Sequence, residues 1–345
     1  MLKAYGYDKS SLRSGFFLQK LCLQNILHGH GKVSPDQVIH EFNRLPDRRN
    51  KYKLALVRFN AECCLRGLAL NGRKVPPEVV VKGYQAVRAP LELARFKAEC
   101  CLRNLLLTGH KVTPDAVVKD YQAAGATLEL ARFREQCCLK GLVLNGQKVT
   151  PDAVVKDFQA AGATLELVRF REHCCLTGLV LNGQKVTPDT VAKGYYSARA
   201  LLELARFKEQ CCLRSLVLNG QLVTPDEVVR DFQAARTPLE LARFKAECCL
   251  RRLVLNGRQV IPDAVVKDFP GSPEGKLGMA RFKEQCCLKG LMLKGQKVTP
   301  DEVVKEIPDS PEGKLGMAHF KAECCLKGLV LNGQPISPDE VVKAF

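Results

Sequence analysis

Eight pairs of adjacent cysteines are the residues of this chain best suited by type to chemistry: Cys63/Cys64, Cys100/Cys101, Cys137/Cys138, Cys174/Cys175, Cys211/Cys212, Cys248/Cys249, Cys286/Cys287 and Cys324/Cys325. Thiolates bind zinc, form disulfides or act as nucleophiles, and the spacing argues against the first two. A zinc site gathers four converging ligands, commonly from Cys-x-x-Cys, whereas neighbours on a helix point about 100° apart. Helices in a stack lie about 8–10 Å apart, beyond the Cα separation of about 7 Å that a disulfide tolerates. The cysteines are therefore expected to be small apolar residues that let helices pack closely, in a reducing cytosolic compartment. Delivery into a host cell by a dedicated export machine is compatible with the same chain.

The six histidines fall at different places, and only His28-Gly-His30 has ligand spacing. There is no GxSxG elbow, P-loop, HExxH or dinucleotide fingerprint. No catalytic residue, metal, cofactor or small-molecule substrate is expected, and the chain reads as non-enzymatic.

The elements that carry these pairs repeat. Residues 150–186 copy residues 113–149 with four changes: Tyr121 to Phe158, Ala131 to Val168, Gln136 to His173 and Lys140 to Thr177. The same register gives eight units, beginning at Ser34, Pro76, Thr113, Thr150, Thr187, Thr224, Ile261 and Thr299. A period of this length is the mark of a solenoid, in which each repeat contacts only its neighbours. Residues 1–33 read as a degenerate N-terminal half-repeat cap, 34–336 as the tandem repeats and 337–345 as a C-terminal half-repeat. The first repeat carries a basic insertion, 44–53, and the last two have altered loops at 270–275 and 308–313.

Each unit reads as two helices. Thr-Pro-Asp opens the first, with Thr as N-cap, Pro in the first turn and Asp at the positive end of the dipole. Capping boxes are expected at Thr224/Glu227, Thr299/Glu302 and Ser337/Glu340, and on the second helix at Thr237/Glu240. The second helix is expected to run from about Thr127 to an Asn145-Gly146 C-cap. The fold class is all-α, a right-handed-type α-solenoid of helix-turn-helix repeats of 37–38 residues.

On the second helix, Glu129, Arg132, Gln136 and Lys140 share one face at i+3 and i+4. Repeated, they give a basic stripe from two columns. One is Arg58, Arg95, Arg132, Arg169, Arg206, Arg243 and Arg281; the other is Arg66, Arg103, Lys140, Arg214, Arg251, Lys289 and Lys327. Between them runs a varying column: Glu62, Glu99, Gln136, His173, Gln210, Glu247, Gln285 and Glu323. As a ligand track, the stripe would hold phosphates at intervals and the varying column would set specificity. As a solvated face, it would be Glu–Arg pairs along each helix.

At pattern level the unit resembles the repeats of transcription-activator-like effectors and, more loosely, pentatricopeptide repeats. The shared points are Thr113, Pro114, Val117, Val118, Leu128, Glu129, a late Cys and Gly146. The resemblance implies a helical repeat architecture. The paired loop positions that vary in that family are mostly alanine here (Ala123, Ala124, Ala160, Ala161), so no base-reading residue is carried over.

A net charge of +17 favours a polyanionic partner. No apolar stretch is long enough to span a membrane, and no secretory signal of the small-residue cleavage type is evident. The expected function is a binding module for an extended polyanion, with RNA or DNA as partner. The alternative is a protein-interaction scaffold for an acidic protein, such as a bacterial effector engaging a host protein.

Overall fold

The computed structural model describes residues 18–19, 22–23, 27–28, 31–43, 50–338 and 340–341. Most of the N-terminal cap, residues 44–49 of the insertion and most of the C-terminal half-repeat lie outside the described residues. Residues 50–53 of the insertion form the first turn of the helix Asn50–Arg66.

Helices alternate in pairs along the chain. The chain divides into two compact units, residues 1–170 with 179–184 and residues 171–178 with 185–345. The first holds Pro35–Asn43, Asn50–Arg66, Pro77–Ala86, Pro90–Leu102, Pro114–Ala123, Thr127–Leu139 and Pro151–Ala160. The second holds Pro188–Ser197, Leu201–Leu213, Pro225–Ala234, Pro238–Leu250, Pro262–Asp268, Pro273–Leu288, Pro300–Glu306 and Pro311–Leu326. The helix Thr164–Thr177 contains the division. Within each unit a second helix packs on its own first helix and on the first helix of the next repeat, as Thr127–Leu139 does on Pro114–Ala123 and Pro151–Ala160. This is the α-solenoid class, built from tandem helix pairs.

The N-terminal signals work as the residues suggest. The hydroxyls of Thr113, Thr150 and Thr187 accept backbone N–H bonds at 3.3–3.4 Å. Thr224/Glu227 and Thr299/Glu302 form complete capping boxes. Thr237 does not: its hydroxyl donates to the Phe232 carbonyl, and Glu240 is held instead by Arg206. A carboxylate offered a guanidinium forms a charge-assisted bond stronger than a neutral cap.

The second helix ends earlier than expected. It stops at Leu139, where Gly141 is left-handed (φ 65) and Leu142 N–H donates to the Cys137 carbonyl at 2.8 Å. This is a Schellman ending. Asn145-Gly146 is the turn of a small antiparallel hairpin, Val143–Leu144 with Gln147–Lys148, with φ of 48 and 76 at the two turn residues. Positive φ at both places is what a two-residue hairpin turn demands and what Asn-Gly supplies. The hairpin recurs, and a first-helix acid clamps its turn: the Asn145 N–H donates to Asp115 at 2.8 Å, Asn219 to Asp189 at 2.6 Å and Asn256 to Asp226 at 2.8 Å. The Asp of Thr-Pro-Asp thus ties the hairpin to the first helix of its own repeat.

Where other repeats use glycine at the helix stop, Arg252 sits at φ 58 with an exposed side chain. A left-handed L-residue costs energy, and glycine's greater unfolded entropy offsets part of the relief. Arg252→Gly is expected to stabilise the chain by about 0.5–1 kcal/mol in denaturant titrations.

The core of each repeat is narrow. Val117, Tyr121, Ala131, Phe133 and Cys137 are buried, with the Tyr121 and Phe133 ring centroids 6.1 Å apart. Leu130 and Leu142 pack against this core, and Leu144 is half-buried on the hairpin. In the last two repeats Pro270 and Pro308 end the first helices at seven residues, and the second helices begin earlier, capped by Ser272 and Ser310. Gly275 is required there, since a Cβ would stand 2.0 Å from the Pro270 carbonyl oxygen.

Candidate binding surface

The paired cysteines lie inside the stack. Cys100, Cys137, Cys211, Cys248, Cys286 and Cys324 are fully buried. All seventeen cysteines are free thiols. Burial pushes the Cys137 thiol up to about 12, with the neighbouring Cys101 adding to the effect. A thiolate is the reactive form. At pH 8 only about one Cys137 in ten thousand would carry it. Cys137 and its buried counterparts are expected to resist Ellman's reagent in the native protein at pH 8 and to react fully in denaturant. Rapid native reaction would contradict the packing role.

The arginine column is exposed, and from Arg58 to Arg206 it is engaged. Arg58 binds Glu92 at 2.5 Å, Arg95 binds Glu129 at 2.5 Å, Arg132 binds Glu166 at 2.8 Å and Arg206 binds Glu240 at 3.0 Å. Each arginine thus reaches the next repeat, not its own helix. The hydrogen bond from Arg95 holds the Glu129 carboxyl below its usual range. Exposed pairs of this kind contribute little stability each, but they fix the offset between repeats.

The second basic column is engaged differently. Arg103 donates to the Leu65 carbonyl at 3.0 Å, Lys140 to Leu102 at 3.1 Å, Arg214 to Leu176 at 3.0 Å and Lys327 to Leu288 at 3.0 Å. Arg66, Arg251 and Lys289 make the same contact with Leu23, Leu213 and Leu250. Each satisfies a C-terminal carbonyl of the preceding second helix at its negative end. In the varying column, Glu62, Glu99 and Glu247 form i,i+4 pairs with Arg66, Arg103 and Arg251. Gln136, His173 and Glu323 are exposed, while Gln210 and Gln285 are half-buried.

A further ionic row joins several second helices to the first helix of the next repeat. Lys97 pairs with Asp120, Arg134 with Asp157, Lys208 with Asp231 and Lys245 with Asp268, at 2.7–2.9 Å. These residues also recur once per repeat, so the period could have exposed them. Their role depends on which helices touch, which the period does not give.

The hairpins carry what these rows leave uncovered. Leu106, Val143, Val217, Val254, Met292 and Val330 are 43–58% exposed. Lys111, Lys148 and Lys297 stand opposite three of them, paired across the hairpin and exposed. Such non-hydrogen-bonded pairs bring their side chains close together. The other residue of the first strand, such as Leu107 or Leu293, points to the core. Each hairpin is therefore amphipathic, with an apolar residue outside where burial within its own repeat is already complete.

No family model and no curated protein matches the chain. Among solved structures it is similar to the crystal structure of c5321, a protective antigen present in uropathogenic Escherichia coli strains displaying an SLR fold. The two share 13% identity over 94% of this chain and 70% of that chain, with a TM-score of 0.38. No described helix is long and apolar enough to cross a membrane.

Proposed function

We propose that the chain is a non-enzymatic scaffold that binds another protein along its repeats. The observation that carries this reading is the apolar residue left outside on hairpin after hairpin, from Leu106 to Val330. Recurring exposed apolar side chains, three of them beside lysines, suit a partner with apolar and acidic residues. The nucleic-acid reading rests on the +17 charge. It is weakened because the two columns offered as a phosphate track are largely occupied by glutamates and by helix carbonyls. The likeness to effector-type repeats contributes the tandem helical architecture and nothing about base reading.

The test compares wild type with Val143→Asp/Val217→Asp/Val254→Asp. Crosslinking pull-downs should capture a protein partner with wild type and lose it with the triple variant. In parallel, anisotropy with single-stranded RNA, single-stranded DNA and duplex DNA follows affinity from about 50 to 200 mM salt. Weak binding that disappears with salt is expected. Sub-micromolar nucleic-acid binding persisting at the top of the range would reverse the proposal.

A further inference from the structure

The Arg–Glu ladder stops inside the second unit. Arg206 has Glu240, but in the next two repeats the place of that glutamate is taken by Gly278 and Gly316. Arg243 and Arg281 are both exposed, and neither hydrogen-bonds nor ion-pairs another described residue. The two glycines differ in their surroundings. A Cβ on Gly278 would meet the Phe269 ring at 2.9 Å, whereas Gly316 faces open space. Beside Gly316 is an open cavity of about 350 Å³, lined by Arg281, Glu284, Gln285, Glu312, Gly316 and His319.

The third repeat shows what such a place holds. Arg132, Glu135 and Glu166 stand there where Arg281, Glu284 and Gly316 stand here. Arg132 binds the Glu166 carboxylate at 2.8 Å even with Glu135 close by. Burial pushes the Glu135 carboxyl up and does the same to Glu284. The neighbouring acid therefore does not prevent the arginine from holding a second carboxylate. Glu312 adds negative charge at the rim of the cavity, and Arg243, one repeat earlier, adds positive charge.

We propose that Arg281, together with Arg243, receives carboxylates from an extended acidic peptide segment of a partner protein, in the place where the array lacks its own glutamate. The inference rests on the protein-scaffold reading and names the partner's chemistry. Adjacent helices lie about 8–10 Å apart, and a chain in the polyproline II conformation advances about 3.1 Å per residue with three residues per turn, so residues three apart share a face. Two acids separated by two residues, Glu-x-x-Glu, therefore match consecutive arginines of the ladder.

The probe is a fluorescein-labelled peptide of Glu-Gly-Gly-Glu repeats, titrated by anisotropy with the full chain at about 50 mM salt, where exposed charges are screened least. The glutamine counterpart of the peptide is expected to bind about tenfold more weakly, as charge-assisted bonds are lost. Arg281→Gln should produce a similar loss. Gly316→Glu should as well, because the introduced carboxylate engages Arg281 from within the array, and open space at that position lets the variant fold. A melting transition at or above the wild-type temperature confirms that it does. Equal binding of the glutamine peptide, wild-type affinity in a folded Gly316→Glu, or no binding up to about 1 mM overturns the proposal. So does a single-stranded RNA that displaces the peptide and loses affinity with Arg281→Gln. If the peptide result fails while the hairpin aspartates still abolish partner capture, the scaffold reading survives without this site.

Discussion

Phe207→Ala is expected to cost about 3–5 kcal/mol, the range for deleting a fully buried aromatic side chain. Phe207 has no exposed surface, and its ring centroid lies 6.2 Å from that of Tyr195. Ala205 and Cys211 on the same helix are also fully buried, and neither is large enough to collapse into the space. Successive repeats from Tyr84/Phe96 to Phe269/Phe282 contribute one such ring pair each, so their cores hold little else that is large. In a repeat array, stability is a sum of local terms and neighbour interfaces. The loss should therefore be local. Hydrogen exchange should show protection falling over Pro188–Ser197, Leu201–Leu213 and the adjacent Pro225–Ala234, with Pro311–Leu326 in the same unit little changed. An equal fall across that whole unit would show that its repeats unfold together.

The aromatic pairs are legible in the amino-acid order because one residue decides each half of them: a Tyr or Phe on the first helix and a Phe on the second. The N-caps are legible for the same reason, as Thr-Pro-Asp acts within its own turn. Thr237 misleads because a capping box assumes that Glu240 is available, and its competitor Arg206 lies 34 residues away in sequence. Asn145-Gly146 misleads because Asn-Gly suits both a helix C-cap and a hairpin turn. Leu142 and Leu144 also continue an apolar spacing past the true end of the helix. The real stop is not uniform in sequence: glycine in five repeats (Gly67, Gly141, Gly178, Gly290 and Gly328), Asn104, Ser215 or Arg252 in the others. Only the repeated backbone shape reveals it. Helical spacing places the polar columns on one face, but their partners depend on the offset between stacked repeats. An arginine that pairs forward by 34 residues looks, in sequence, like a free cation.

Glu209→Gln is expected to stabilise the protein by about 2 kcal/mol at pH 8 and to change little at pH 4.5. Burial pushes the Glu209 carboxyl up to about 7, with Glu247 and Glu240 raising it further and Arg206 opposing them. A carboxyl raised above its unfolded value near 4.5 favours folding while protonated. That contribution is complete below about 4.5 and is lost as pH rises through about 7. The paired glutamates act in the other direction. Glu129 is lowered, so its contribution disappears as pH falls. The difference between wild type and variant isolates Glu209, and urea midpoints at pH 4.5, 6 and 8 measure it. The repeats also supply a rescue. Glu172, in the same place one repeat earlier, accepts a hydrogen bond from the Tyr195 hydroxyl, whereas the residue in Tyr195's place one repeat later is Phe232. Phe232→Tyr should offer Glu209 the missing donor, lower its pKa and flatten the pH dependence without removing the acid. If Glu209→Gln shows the same midpoint difference at all three pH values, the carboxyl is ionised normally and its burial is less complete than the packing indicates.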